Sequence, residues 1–389
     1  MNYIQQAYKG QYKWYYWLIT IVLVFFGWQI LGAIPLLIVA FLEAGDLETF
    51  TAAGADNFMT LGINKNLFLF LMLFTFVVGL IFLLISVKFI HKRSITSLVT
   101  SRKKIDWKRF FTGFLTWGTL AVAFSFIGIY LEPEIYTFNF NAKPFFILVA
   151  ISILILPLQT SLEELLFRGY FMQGIGISMV SKRFPFYFLL ILLNIALFVL
   201  RNFLGLNSFT ALITILGISI LQSFLFTNTF FNSNFNYFLV KFFNSKLTPL
   251  IITSVCFGLL HGANPEVQKL GSVLLIFYIG TGFFYGISTL MDEGTELALG
   301  LHAANNMFAA FLVTTDWMVF QTDALYIDTS EPSVSFEMFF PVFILYPLLL
   351  FFFSKKYKWT NWKEKLTGKI EKPFNLEENY RILDDLGTK

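Results

Sequence analysis

The chain has 389 residues, of which 57% are hydrophobic and 13% are charged, with a net charge of +4. Soluble domains carry about 25% charged residues, so this composition excludes an ordinary soluble domain and indicates a polytopic membrane protein. The single cysteine, Cys256, excludes an internal disulfide framework and a multi-cysteine metal site. The sequence also contains no glycine-rich nucleotide-binding loop.

Ten apolar segments follow one another along the chain and predict an all-α fold with about 8–10 transmembrane helices. A helix needs about 20 mostly apolar residues to cross the hydrocarbon core of a bilayer. The first segment is too long for the apolar part of a cleavable signal peptide, so we interpret it as a membrane helix. The segments lie near residues 15–42, 67–90, 110–131, 145–166, 186–204, 209–226, 247–263, 270–290, 297–315 and 338–354.

The loops between these segments differ in charge, and this predicts their orientation. The stretch HKRSITSLVTSRKKIDWKRF is basic, as are SKRF and SKKYKWTNWKEK, whereas LEAGDLETFTAAGAD and residues 316–337 are acidic. Because Lys and Arg accumulate in short cytoplasmic loops, both termini are expected in the cytoplasm of a multi-pass cell-membrane protein. We interpret the long basic loop, with a solvated His91, as a region that sets orientation and touches anionic lipid.

The stretch LEELLFRGYF places two glutamates and an arginine in an otherwise apolar run. Charges inside a membrane helix are rare, and they usually face a protein interior or a wet cavity where they have a function. Glu164 and Arg168 are four residues apart, so they can pair on one face of a helix. Glu163 lies about 100° away around the helix and is left without that partner. A carboxylate left in a partly wet, apolar site is a candidate general base.

Two of the three histidines lie in later apolar segments. His261 ends the stretch SVCFGLLH, and His302 is followed one helical turn later by Asn306. With Glu163 they match water attack on a peptide bond, in which Glu and one His activate the water while the other His and Asn stabilise the oxyanion. Glu and two His also form a ligand set suited to zinc, with one position left for water. Cys256 is off the helical face of His261, which disfavours a cysteine nucleophile.

Three motifs in a fixed order resemble those of the CPBP intramembrane protease family. EELLFR fits Glu-Glu-x-x-x-Arg, FGLLH fits Phe-x-x-x-His, and HAANN fits His-x-x-x-Asn. This family, also called Abi, includes the type II CAAX prenyl endopeptidases and bacteriocin-processing or self-immunity proteins. The resemblance covers residues 145–315 and implies an intramembrane endopeptidase with the historical label metalloprotease.

The resemblance implies a role for each residue of the first motif. Glu163 matches the glutamate that activates the water, and Glu164 matches the glutamate that supports it. Arg168 matches the arginine that holds the glutamate-bearing helix in place.

The other two motifs imply roles for the histidines. His261, which follows Phe257, matches the histidine that shares the water with Glu163, and His302 and Asn306 match the pair assigned to the oxyanion. The resemblance leaves the cofactor open. A divalent metal such as zinc, held by Glu163, His261 and His302, therefore remains an alternative to a metal-free site.

The motif positions divide the chain into three regions. Residues 1–144 are interpreted as N-terminal transmembrane helices with the basic loop, 145–316 as the protease core, and 317–389 as a last helix and cytoplasmic tail. Two additional apolar segments and the stretch TNTFFNSNFNYFLVKFFNSK separate EELLFR from FGLLH. We interpret residues 186–245 as an inserted helical hairpin with an interfacial segment.

Two local features bear on the depth of the site. Pro157 predicts a kink shortly before the glutamates. His302 follows closely on Glu296, so it reaches the depth of Glu163 only if the stretch MDEGTE dips into the protein.

The sequence thus predicts an intramembrane endopeptidase that hydrolyses an extended peptide by direct water attack. Its expected partners are the lipid bilayer and a peptide or membrane-protein substrate, with no nucleic acid. The Phe-rich, Asn- and Lys-containing composition favours a bacterial source, so a leader peptide or bacteriocin is expected, with self-immunity as a related role. Two alternatives are a non-catalytic immunity or scaffold protein with this fold and a proton-coupled transporter, although the inverted repeats typical of transporters are not evident.

Overall fold

The computed structural model of the protein describes residues 1–199 and 207–373. These residues are mainly helical, and the predicted all-α, polytopic membrane class is confirmed. The last residues of the predicted segment 186–204 and the tail from residue 374 onward lie outside the described residues.

Six helices in the described part of the chain are long and apolar enough to cross a membrane. Each is a long helix with very few charged residues. Hydrogen bonds within the helix satisfy the backbone N–H and C=O groups, which lipid cannot bond. Six of the ten predicted segments coincide with them. They are Trp14–Ala44, Lys65–Ile90, Trp107–Leu131, Ala142–Ser178, Ser272–Asp292 and Phe336–Tyr357.

The other four predicted segments form shorter or bent helices. The predicted hairpin consists of Phe184–Val199 and Ser208–Phe231, which pack against each other. Asn234–Phe243 meets Leu247–Ala263 at an angle of 72°, and the two together make at most one further crossing. Glu296–Phe311 has only 16 residues. Since it is enclosed by protein, its length does not have to match the thickness of the bilayer.

Three helices carry the motif residues and are named after them. The glutamate helix is Ala142–Ser178, the first histidine helix is Leu247–Leu260, and the second histidine helix is Glu296–Phe311. The second histidine helix packs along both Trp107–Leu131 and the glutamate helix, and most of its residues are buried. It therefore forms the centre of the bundle.

Glycines permit the close packing of the second histidine helix. A Cβ on Gly300 would overlap the carbonyl oxygen of Phe110, and one on Gly113 would lie 2.6 Å from the carbonyl oxygen of Leu297. Small residues let two helix backbones approach closely in a membrane. The depth and rotation of the helix that carries His302 are thus fixed by backbone contact.

Short elements complete the fold. A three-stranded sheet has the order first, third, second strand, with the first pair antiparallel and the other parallel. The strands are Tyr136–Phe138, Val313–Thr314 and Tyr326–Asp328. The short helices include Ile4–Lys9, Leu47–Ala53, Ile95–Val99, Pro265–Leu270 and Trp362–Thr367.

The long basic loop is packed into the protein more than its sequence predicts. The interpretation of His91 as a solvated residue is wrong, because it is 1% exposed. Its Nδ1 lies 2.6 Å from the Gln11 carbonyl oxygen, and its Nε2 lies 2.8 Å from the Tyr170 hydroxyl oxygen. Arg93 is also buried and donates to the side chain of Gln173. Among the charged residues of the loop, only the lysines are exposed, namely Lys92, Lys103, Lys104 and Lys108.

The arginines of the same loop contact the acidic stretch MDEGTE. Arg102 lies 2.9 Å from an oxygen of Asp292 and 3.1 Å from an oxygen of Glu296, and Arg109 also pairs with Asp292. Asp292 and Glu296 are buried. The stretch thus lies inside the protein, and the arginines of the basic loop are the ion-pair partners of its buried carboxylates.

Candidate active site

The glutamate helix changes its geometry on both sides of the glutamates. One α-helical part ends at Leu154, and the next begins at Leu156 with Pro157 in its first turn, where a missing N–H is tolerated. The predicted break near Pro157 is therefore present. After Glu164 the helix widens into a π-helical turn, Leu165–Phe171, which the sequence did not predict. Such turns are rare and occur frequently at functional sites.

Glu164 and Arg168 form the predicted pair. Arg168 Nη1 donates to Glu164 Oε1 over 3.0 Å, and both side chains are fully buried. Arg168 Nη2 donates to the Gly282 carbonyl oxygen at 3.2 Å, and its guanidinium lies 4.1 Å from the centroid of the Phe257 ring. A buried charge is costly unless it is paired, so Arg168 links three helices through contacts that compensate its charge.

His302 contacts both glutamates. Its Nδ1 lies 2.8 Å from Glu164 Oε1, and its Nε2 lies 3.5 Å from Glu163 Oε2. Its ring stacks on Tyr285 with the centroids 5.1 Å apart. The side chain of Glu163 is 13% exposed, whereas that of Glu164 is 0% exposed. Glu163 is therefore the glutamate that a water molecule can reach.

Gln159 joins Glu163 to Asn306, and sequence reasoning missed it. Gln159 Nε2 donates to Glu163 Oε1 over 2.7 Å, and Asn306 Nδ2 donates to Gln159 Oε1 over 2.9 Å. A signal was available, because Gln159 is one helical turn before Glu163 and shares its face. A chain of polar contacts thus runs through six side chains of two helices: Asn306, Gln159, Glu163, His302, Glu164 and Arg168.

His261 is the C-cap residue directly after the first histidine helix, and it contacts this cluster through Phe257. The Phe257 ring centroid lies 4.7 Å from that of His261 and 6.0 Å from that of His302. His261 Nδ1 lies 2.8 Å from the Phe257 carbonyl oxygen. Since a carbonyl oxygen can only accept, Nδ1 carries the hydrogen of the neutral ring, and Nε2 is left as an acceptor.

The three side chains of the zinc alternative are not gathered around one point. His302 Nε2 lies 3.5 Å from Glu163 Oε2, whereas His261 contacts this pair through the Phe257 ring. Within residues 1–199 and 207–373, no group of three or more His, Cys, Asp or Glu side chains is placed to hold a metal ion. Glu163, His261 and His302 are therefore not placed to share one metal ion.

Comparison with protein families gives a match over part of the chain. Residues 230–308 match a family described as Type II CAAX prenyl endopeptidase Rce1-like. The matched region contains the FGLLH and HAANN motifs and the end of the predicted insertion. It begins after EELLFR, so the glutamate motif is supported by the residues themselves and by their contacts with His302.

One curated relative is the uncharacterized protein YyaK of Bacillus subtilis (strain 168). It is 26% identical over 231 residues, which cover 59% of this chain. The chain spans 56% of the length of that relative. No solved structure matches the chain.

Proposed function

From the confirmed resemblance to the CAAX protease family, which is a family of intramembrane proteases, we propose that this chain is an endopeptidase whose Glu163 activates the attacking water. The observation that carries the proposal is the chain of polar contacts from Asn306 to Arg168, in which only one of two adjacent glutamates is open to water. Such a chain inside apolar helices is expensive unless it has a function.

In the proposed reaction, Glu163 acts as general base. Its Oε2 accepts a proton from water as the water oxygen forms a bond to the peptide carbonyl carbon. Gln159 donates to the other oxygen of the same carboxylate and fixes its orientation. The carboxyl proton then passes to the peptide nitrogen as the C–N bond breaks, which regenerates the carboxylate. No covalent enzyme intermediate is formed.

The remaining polar groups are assigned by what they can donate or accept. His261 Nε2 is an acceptor and takes the second hydrogen bond of the water in this proposal. His302 and Asn306 donate to the oxyanion that develops on the peptide carbonyl. They border Glu163 on two sides, His302 directly and Asn306 through Gln159. Glu164 and Arg168 hold His302 and the helix in place.

The finer identity of the substrate is part of the proposal. We propose a leader peptide, a bacteriocin or the tail of a membrane protein, in a bacterial membrane with both chain termini in the cytoplasm. Six apolar helices make the chain a multi-pass membrane protein, so the cleaved bond lies at or near the bilayer.

The test uses the purified chain in liposomes with a pool of quenched fluorogenic peptides, among them prenylated and unprenylated CAAX peptides. Wild type is expected to cleave some members. Glu163→Gln should cleave them at least about 10²-fold more slowly, because general-base catalysis typically contributes about 10²–10⁴-fold. The exposed Glu134→Gln is the matched control and should behave as wild type.

Other outcomes support the rival functions. If wild type and Glu163→Gln bind the same peptides and neither cleaves any, the non-catalytic immunity or scaffold function is favoured. If wild type instead moves protons into the liposomes and Glu163→Gln does not, the transporter is favoured. Serine- and cysteine-directed inhibitors should leave cleavage unchanged, since no side-chain nucleophile is attacked.

A further inference from the structure

A second buried carboxylate, outside the three motifs, lies close to His261. Glu266 is 1% exposed and lies in the first turn of the short helix Pro265–Leu270, which follows His261. Its Oε1 accepts hydrogen bonds from the Tyr278 hydroxyl and, over 2.9 Å, from Asn264 Nδ2. Its Oε2 accepts from the backbone N–H of Val319 over 3.0 Å. Three donors from three separate parts of the chain thus converge on one carboxylate.

Tyr278 connects this carboxylate to the active site. Its ring stacks on the His261 ring with centroids 4.3 Å apart and an interplanar angle of 20°. His261 therefore contacts two aromatic rings, Tyr278 and Phe257, and its Nδ1 is held by the Phe257 carbonyl oxygen. Stacking alone allows one ring to slide over another, whereas the hydroxyl bond to Glu266 fixes where the Tyr278 ring lies.

We propose that Glu266 and Tyr278 are positioning residues that hold His261 so that its Nε2 points to the water beside Glu163. The proposal rests on the proposed function for its effect on rate, but not for its effect on the His261 ring. Val319 lies in the segment that follows the second histidine helix, so the same carboxylate also fixes that segment relative to His261. The buried Glu266 carboxylate thus contacts both the ring that packs on His261 and the segment that follows the helix of His302.

The chain offers a direct test, because it contains only three histidines. The purified protein is labelled with ¹⁵N-histidine, and its ring resonances are recorded by NMR in detergent micelles. The wild-type His261 signal should be that of a neutral ring protonated on Nδ1. Tyr278→Phe keeps the ring but removes the hydroxyl, so the His261 signal should shift or broaden while the His91 signal stays unchanged.

Tyr346→Phe is the matched control. Tyr346 is buried whereas Tyr278 is half-buried, and its hydroxyl bonds to Thr281 on the helix that carries Tyr278, but its ring stacks on Phe284 instead of a histidine. Tyr346→Phe should leave the His261 signal unchanged. If Tyr278→Phe also leaves it unchanged, the positioning role is overturned.

Turnover gives the second readout. Residues that orient the ligands of a metal site typically contribute about 10–100-fold to activity, and we expect a comparable loss of kcat, with KM unchanged, when Tyr278→Phe frees the His261 ring. Glu266→Gln retains an acceptor oxygen and should be milder than Glu266→Ala. The double variant Glu266→Ala with Tyr278→Phe should be no slower than Glu266→Ala alone, because both remove one interaction.

Equal rates for Tyr278→Phe and Tyr346→Phe, or additive effects in the double variant, would overturn the proposal. If wild type cleaves no peptide, the proposed function fails, and the NMR comparison still decides whether Glu266 and Tyr278 position His261. If the Glu266→Ala protein does not fold, the Tyr278→Phe comparison carries the test alone.

Discussion

Two clusters of buried charge in this protein differ in how fully their carboxylates are compensated. Beside the basic loop, Asp292 accepts from Arg102, Arg109 and the Trp359 indole N–H. Glu296 accepts from Arg102 and from a backbone N–H. Each carboxylate in this cluster, which we call the edge network, has at least one arginine. The edge network thus joins the basic loop to the start of the second histidine helix. Its carboxylates are occupied by ion pairs and are poorly suited to accept a proton.

The active-site cluster is built with fewer positive groups. Glu163 and Glu164 are served by a single arginine, Arg168, which pairs with Glu164. Glu163 is contacted by Gln159 and by His302, and it retains some exposure. A carboxylate that is held in position but incompletely neutralised is able to accept a proton. The comparison supports the proposal that Glu163 acts in catalysis, whereas the edge network, with an arginine on each carboxylate, stabilises the fold.

The largest effect on stability is expected for Arg168→Ala. The substitution leaves Glu164 as a buried charge without its ion-pair partner, which costs about 3–5 kcal/mol in the free energy of unfolding. Thermal unfolding of the purified protein in detergent measures the loss. The exposed Arg183→Ala is the control and should change stability by less than about 1 kcal/mol. An Arg168→Ala protein with wild-type thermal stability would show that the pair is not a structural requirement.

Removal of the proposed oxyanion donors should lower the rate of peptide hydrolysis. Asn306→Ala and His302→Ala should each slow peptide hydrolysis by about 10²–10³-fold, the usual effect of one missing donor. Single-turnover cleavage measures it. For Asn306→Ala the melting temperature should stay near that of wild type, since Asn306 is only partly buried. Unchanged hydrolysis by Asn306→Ala would remove this residue from the mechanism.

A pH effect is expected away from the active site, at His91. Burial is the main cause that lowers the pKa of His91 to about 4, from an ordinary value of about 6.5. The unfolded chain therefore binds this proton first as pH falls, and unfolding becomes easier between about pH 6.5 and about pH 4. The contribution amounts to roughly 3 kcal/mol at most. Thermal unfolding at several pH values should show this slope, and His91→Gln should flatten it in that window.

The smallest effect is expected in the edge network. Arg102 is 25% exposed, but its partners Asp292 and Glu296 are buried, so Arg102→Ala should lower the free energy of unfolding by about 1–3 kcal/mol, less than Arg168→Ala. Added salt should reduce the difference between Arg102→Ala and wild type, because it screens exposed charges. The loss caused by Arg168→Ala should be insensitive to salt. Equal salt sensitivity of both would mean that the two clusters do not differ in burial.

Much of the architecture was predictable from the sequence because its signal is local. Long apolar runs identified the six membrane-length helices, and four-residue spacing identified the Glu164–Arg168 pair. The glutamates and histidines of the cluster were noticed because charge is rare in such runs. The structure brings Glu163, Glu164 and His302 into contact, while their catalytic roles remain predictions.

Other features depend on contacts between distant segments, which a sequence does not display. The burial of His91 follows from packing against Gln11 and Tyr170, which lie 80 and 79 residues away. Glu266 was not singled out, because its partner Tyr278 is identified only by the fold. Helix length was also ambiguous, since an apolar run does not distinguish a crossing helix from one enclosed by its neighbours, such as Glu296–Phe311.

We propose that Glu163 acts in catalysis and that the adjacent Glu164 stabilises the fold. Paired substitutions of the two glutamates test this difference most directly. Hydrolysis rate and melting temperature are measured for Glu163→Gln and Glu164→Gln in the same membrane mimetic. Glu163→Gln should lose turnover by at least about 10²-fold with an unchanged melting temperature. Glu164→Gln should lose several kcal/mol of stability, because it deprives buried Arg168 of its counter-charge. Full turnover in Glu163→Gln, or a loss of turnover confined to a stable Glu164→Gln protein, would contradict it.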